Sequence, residues 1–108
     1  MDFATMRVET VPSRCRPETV WVRAAGEIDC ANAVLLSQAL AAALAHGSGR
    51  VDVDLAEVTF IDCAGLRALT CAGDAAGERL RLVAASEAVR WVLCALGMQQ
   101  RFGAATSP

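Results

Sequence analysis

The chain has no tyrosine, and its 108 residues include only three phenylalanines and two tryptophans. It also lacks a block of one charge sign. Ten basic residues face twelve acidic ones, mixed along the chain, for a net charge of −2. Without a basic stripe or interleaved aromatics there is little to hold phosphates or stack bases, which excludes nucleic acid as the expected partner. His46 is the only histidine, and none of the five cysteines, Cys15, Cys30, Cys63, Cys71 and Cys94, stands in a C-x-x-C pair. Metal centres need such ligands clustered at set spacings, so no metal and no cofactor is expected. The longest apolar run, over residues 39–45, is too short and too alanine-rich to span a bilayer, so no membrane partner is expected. The first residues carry Asp2, Arg7 and Glu9 where a secretory leader has an apolar core. A reduced cytoplasmic setting with mostly free thiols follows as the expectation. Nothing in the pattern fixes an oligomeric state.

What is present is a high hydrophobic content, 55%, at a length suited to one domain with one core. Residues 6–11 read as a strand, 12–17 as a proline-bracketed turn, and 19–25 as a second strand rich in β-formers. The short connection implies an antiparallel hairpin. Gly26-Glu27-Ile28-Asp29 breaks the second strand. A helix follows over 31–45, with Ala33, Leu36, Leu40, Ala43 and Leu44 on one face and Gly47 as its cap. Residues 50–55 alternate as a strand, with 58–61 close behind, and a second helix runs over 64–76 until Gly77. Residues 80–84 form another strand, and Ser86 caps a third helix carrying Val89, Val92, Leu93 and Leu96, closed by Gly97. Residues 98–102 offer a short edge strand, and 104–108 read as a flexible tail. Strands alternating with helices imply an α/β fold with mostly parallel pairing and right-handed crossovers. Functional sites in such open sheets lie beyond the carboxyl ends of the strands. Two of those ends are 26–30 and 62–65, expected side by side.

The second of these ends is the most telling stretch. In Thr59-Phe60-Ile61-Asp62-Cys63-Ala64-Gly65-Leu66 an apolar strand stops, a carboxylate and a thiol follow, and a helix opens. A helix start presents unpaired N–H groups and partial positive charge, a natural seat for an anion, a phosphoryl group or a thiolate. Asp62 is also the expected N-cap.

Three segments together resemble a STAS domain of the bacterial anti-sigma factor antagonist type. Gly26-Glu27-Ile28-Asp29 is similar to the family's G-E-[LI]-D. Val51-Asp52-Val53-Asp54-Leu55 followed by Val58 to Leu66 resembles its strand and D-S-[ST]-G-L turn. Ala88 to Gly97 is similar to its last helix with a terminal glycine. The resemblance covers nearly the whole chain. It implies a mixed four- to five-stranded sheet with an N-terminal antiparallel hairpin, covered by three or more helices, in a single domain over 1–103. It also implies a partner switch. The antagonist binds an anti-sigma factor of histidine-kinase-like ATPase fold and so releases a sigma factor. Phosphorylation of the serine after the aspartate ends the binding, and a phosphatase restores it. The docking surface implied here comprises Asp62, Cys63, Ala64, Gly65, Leu66 and Arg67, with Glu27 and Asp29 nearby.

This chain departs from the pattern at the modified position, where Cys63 replaces serine and Ala64 replaces the next hydroxyl. The ordinary phospho-switch has no acceptor there, while the binding role stands. Cys63 reads either as a neutral serine replacement or as a redox switch. The helix start favours its thiolate and the adjacent Asp62 opposes it. Cys30, in the neighbouring turn, is its possible disulfide partner if the Cα atoms approach within roughly 7 Å. Cys71 reads as exposed, Cys94 as a packing residue, Cys15 as a loop residue and Trp91 as partly buried. Thr59 and Thr70 are the nearest hydroxyls, and neither is an obvious substitute acceptor. Two other functions remain open: a sensory or scaffold STAS module in a larger assembly, and a Cys63-dependent thiol enzyme. Against the enzyme, the arginine that cysteine-dependent phosphatases place six residues after the nucleophile is Leu69 here, and Arg67 comes too early. No catalytic residue is therefore assigned.

Overall fold

The computed structural model describes residues 6–12, 18–46 and 49–98. Strand β1 (Met6–Pro12) and strand β2 (Val20–Ile28) are followed by helix α1 (Ala33–Ala45), strand β3 (Val51–Ile61) and helix α2 (Cys63–Ala76). A single 3-10 turn (Gly77–Arg79), strand β4 (Leu80–Ala85) and helix α3 (Glu87–Ala95) complete the order. The sheet runs β1-β2-β3-β4, with β1 antiparallel to β2 and the other pairs parallel. Among the described residues this is the expected α/β architecture, a four-stranded mixed sheet with an N-terminal hairpin and three helices.

Alternation along the strands builds the core. Val22 and Ala24 of β2, Val51 and Val53 of β3, and Leu80 and Leu82 of β4 are all buried, while Arg23 between the first two is exposed. Helix α1 adds Leu36 and Leu40, helix α2 adds Leu66 and Leu69, and helix α3 adds Val89 and Leu93. Each such side chain contributes roughly 1.5–3 kcal/mol by leaving water, which is what holds the helices to the sheet. Charged positions interrupt the pattern once: Asp52 is 4% exposed, and the Arg50 Nε lies 3.0 Å from its Oδ1.

Several expected boundaries move. Strand β2 does not end at Ala25 but continues to Ile28, because pairing with β3 shifts register between Arg23 and Ala25 and again between Gly26 and Glu27. Gly26 has φ 92, a conformation open to glycine, and the irregularity returns Ile28 to the core at 0% exposure. Strand β3 is continuous over Val51–Ile61, where the sequence suggested two pieces, since the same irregularity disturbs its alternation. Helix α1 starts at Ala33, two residues after its expected start, because residues 29–32 close a hydrogen-bonded turn first. Helix α2 starts at Cys63, one residue early, since Asp62 caps it directly. The 3-10 turn after Gly77 was not expected; Arg79 anchors it by donating to the carbonyls of Gly49 at 2.9 Å and Leu44 at 3.0 Å.

Trp91 is 71% exposed, contrary to the expected partial burial. It lies two residues from Val89, roughly 200° around the helix from the buried row. Cys94, expected in packing, is exposed for the same kind of reason, one step past buried Leu93. Gly97 takes φ 68 just past α3, where Met98 N–H donates to the Leu93 carbonyl at 2.7 Å, the expected glycine stop. Met98 belongs to no strand, and 99–102 lie outside the described residues, as do Gly47, Cys15, residues 13–17 and the tail 104–108.

Candidate functional site

The two expected turns are neighbours. Ile28 and Ile61 are register partners at the ends of β2 and β3, and the Asp62 N–H donates to the Ile28 carbonyl at 3.1 Å. Asp62 has extended backbone (φ −109, ψ −171), and its Oδ1 accepts from the N–H groups of Ala64 at 2.9 Å and Gly65 at 3.1 Å. It is the N-cap of α2. Two donors that the helix start would offer an incoming anion are therefore already taken by the chain's own carboxylate. The turn is a rigid shelf more than an open anion seat.

On that shelf Cys63 is exposed in the first helical position, and Arg67 is exposed one turn further along the same face. Cys71 continues the exposed row, as expected. Ala64 is half-buried, while Gly65 and Leu66 are buried and position the turn from below. A Cβ on Gly65 would stand 2.7 Å from both the Ile28 Cγ2 and the Ile61 Cγ1, so only glycine lets the helix start sit this close to the two strand ends. The docking residues implied by resemblance thus divide: Asp62, Gly65 and Leu66 shape the turn, and Cys63 and Arg67 face solvent.

In the neighbouring turn Glu27 is exposed and Asp29 is half-buried. The Asp29 Oδ1 accepts from the N–H groups of Ala31 at 3.0 Å and Asn32 at 3.3 Å, and the Asp29 N–H donates to Asn32 Oδ1 at 2.9 Å. The Asn32 amide also donates to the Glu27 carbonyl at 2.9 Å. Asp29 is committed to local structure, and Asn32 is its reciprocal partner. Sequence reasoning missed Asn32, although an Asp with an Asn three residues on is a recognisable turn signal. Cys30, between them, is exposed and free, as is Cys63.

Three further residues missed from sequence lie on the elements that flank the turns. Val34 and Leu35, in the first turn of α1, are 54% and 52% exposed, and Phe60, next to the end of β3, is 49% exposed. Helix α1 carries no charged residue along its 13 positions. Exposed apolar residues and exposed thiols thus both occur on elements that start or end at the carboxyl end of the sheet. Thr59 is exposed on β3, and the Thr70 hydroxyl donates to the Arg67 carbonyl at 3.1 Å. Among the described residues no cluster of three or more His, Cys, Asp or Glu is arranged to hold a metal ion, and no helix is long and apolar enough to cross a membrane.

The family model described as "Mlab, STAS domain" matches residues 13–103. The chain belongs to the STAS-domain family. Among solved structures, this STAS domain is similar to an anti-sigma factor antagonist from Mycobacterium paratuberculosis. The two share 25% identity with a TM-score of 0.78, over 90% of this chain and 82% of that one. It also shares its fold with the anti-sigma factor antagonist SpoIIAA in its unphosphorylated form, at 23% identity and a TM-score of 0.62, over 86% of this chain and 81% of that one. No protein of curated function matches the sequence.

Proposed function

We propose that this STAS domain is a non-catalytic, cytoplasmic anti-sigma factor antagonist. It binds an anti-sigma factor of histidine-kinase-like ATPase fold and thereby frees a sigma factor for transcription under stress. The observation that carries this reading is that Val34, Leu35 and Phe60 are exposed on the elements flanking the turn that bears exposed Cys63 and Arg67. Exposed large apolar side chains are what a protein partner covers. The similarity to a Mycobacterium antagonist supports the choice of partner.

The test is calorimetric titration against the ATPase-type anti-sigma factors of the same organism. Wild type is expected to bind one of them. Leu35→Asp places a charge at an apolar position that is already exposed, so folding is kept. Its affinity is expected to fall at least about tenfold, the effect of roughly 1.4 kcal/mol. No binding by wild type, or undiminished binding by Leu35→Asp, counts against the reading.

The thiol at position 63 has a separate consequence. A cognate kinase is expected to bind the wild type without phosphorylating it, since Cys63 offers no hydroxyl. Cys63→Ser restores an acceptor in the first helical position and is expected to gain one phosphate, read as intact mass after incubation with kinase and ATP. Phosphate on Cys63 itself would refute this account, and phosphate on Thr59 or Thr70 would show the acceptor has moved.

A further inference from the structure

Strand β1 is an edge. Among the described residues its one strand neighbour is β2, so the N–H and C=O groups on its other side have no partner strand. Such an edge is a template for another strand. Its protection is slight: Pro12 stands only at the end of the strand, and no charge of β1 points inward. Met6 is buried and Val8 half-buried, while Arg7 and Glu9 are exposed on the opposite face. Register sets Glu9 beside Arg23 and Arg23 beside Asp54, and Arg23 reaches Glu9 at 3.8 Å and Asp54 at 3.3 Å. That row holds two acids to one base and ends on Glu9 at the open edge. Arg7, next along β1 on the same face, has no ion-pair partner among the described residues. The edge therefore offers a base and an acid in line, complementary to a strand that carries the same two in reverse order.

We propose that this strand is β1 of a second copy of the chain, paired antiparallel about a two-fold axis at Val8. Alternate residues of an edge strand turn their N–H and C=O outward, so two copies pair only with positions of like parity opposite each other. An axis at Arg7 or at Glu9 sets like charges directly opposite, which destabilises the pair. An axis at Met6 overlaps β1 with its copy at a single residue, and one at Thr10 or Val11 leaves Arg7 beyond the paired strand and brings Pro12 into the ladder. The axis at Val8 pairs Met6 with Thr10 and Arg7 with Glu9, each twice, over residues 6–10. Side chains directly opposite have Cβ atoms about 4.5–5.5 Å apart, within reach of an arginine–glutamate contact. The signs then alternate across the joint as Asp54, Arg23, Glu9 and the second copy's Arg7. The same axis keeps the buried face of β1 in line with the buried face of its copy and joins two four-stranded sheets edge to edge. The paired length is short for an interface, so the dimer is weak, with Kd on the order of 100 µM. It uses neither Cys63 nor the anti-sigma factor and stands apart from the function proposed above.

The experiment is sedimentation equilibrium of the intact protein from about 10 µM to about 1 mM. Wild type is expected to pass from monomer to dimer, and less readily at high salt, which screens exposed ion pairs. Arg7→Glu and Glu9→Arg each set like charges opposite, and each alone is expected to dimerise at least about tenfold more weakly. Mixed in equal amounts, they set an acid of one chain against a base of the other at both pairs, so a heterodimer within a few-fold of the wild-type affinity is expected. Hydrogen exchange on wild type is the second measurement: the amides of β1 are expected to slow as concentration rises, with those of α3 unchanged. Wild type that stays monomeric at about 1 mM overturns the proposal. So does a dimer that both variants form as well as wild type, or a mixture of two folded variants that does not associate. A dimer lost on Trp91→Ala, with β1 exchange unchanged by concentration, places the interface on α3 and equally overturns it. The wild-type measurements decide the matter even where a variant fails to fold.

Discussion

Gly65→Val is expected to be the most destabilising single substitution in the functional turn, lowering stability by about 3 kcal/mol. Gly65 is buried in the first turn of α2, and a Cβ there meets the Ile28 Cγ2 and the Ile61 Cγ1, each at 2.7 Å. Both obstacles sit on β-branched side chains whose rotamers are restricted, and both residues are core, at 0% and 4% exposure. They cannot swing aside as the tip of a lysine would. Either the helix start lifts off the strand ends or the isoleucines leave their rotamers, and overpacking of this kind costs typically 1–3 kcal/mol. Gly65→Ala adds one methyl and gains up to about 1 kcal/mol of helix propensity, so its net loss is smaller, about 1 kcal/mol. Urea unfolding gives both values as shifts in midpoint at constant slope. Gly77→Ala serves as the contrast: its Cβ meets nothing within 4 Å, and only its φ of 62 resists the change. A Gly65→Ala protein more stable than wild type would show that close approach is not why glycine stands there.

The same glycine shows how far the sequence could be read. Gly65 was visible as part of a motif, but its reason, two isoleucine side chains from different strands, is a contact between segments distant in sequence. What was legible was local. The period of Ala33, Leu36 and Leu40 placed α1, and Asp62 and Ser86 before apolar runs placed the starts of α2 and α3. The order of elements then fixed the sheet and brought the two turns together, as the Asp62 to Ile28 hydrogen bond shows. What was not legible depended on register. Gly26 reads as a breaker in isolation, yet pairing on both sides carries the strand through it to Ile28. Exposure of Trp91, Val34, Leu35 and Phe60 was equally hidden, because apolar residues are expected inside until the packing shows which face has no cover. The site residues divided for a similar reason. A motif names Asp29, Gly65 and Leu66 with Cys63 and Arg67 alike, and only the hydrogen bonds and burial separate those that build the turn from those that face a partner.

Cys63→Asp is expected to cost the partner at least about a hundredfold in affinity while leaving the domain folded. Position 63 is the first residue of α2, where an acid interacts favourably with the helix dipole, by roughly 0.3–1 kcal/mol. Arg67, one turn on and exposed, can pair with it. These gains offset the proximity of Asp62, whose carboxylate is held on the Ala64 and Gly65 N–H groups. Stability should therefore change by less than about 1 kcal/mol. Binding is another matter. In the proposed complex the partner excludes water around this point, and a charge on an exposed side chain loses its solvation when covered. A like charge set beside Asp62 in a desolvated interface costs several kcal/mol. Cys63→Ala removes one small side chain and should bind within a few-fold of wild type. Cys63→Asn has the shape of Asp without its charge, so it separates bulk from electrostatics: a drop for Asp that Asn does not share assigns the effect to charge. Calorimetry against the anti-sigma factor reads the affinities, with circular dichroism as the control for folding. If Cys63→Asp is folded and binds as tightly as wild type, the shelf at the start of α2 is not where the partner docks.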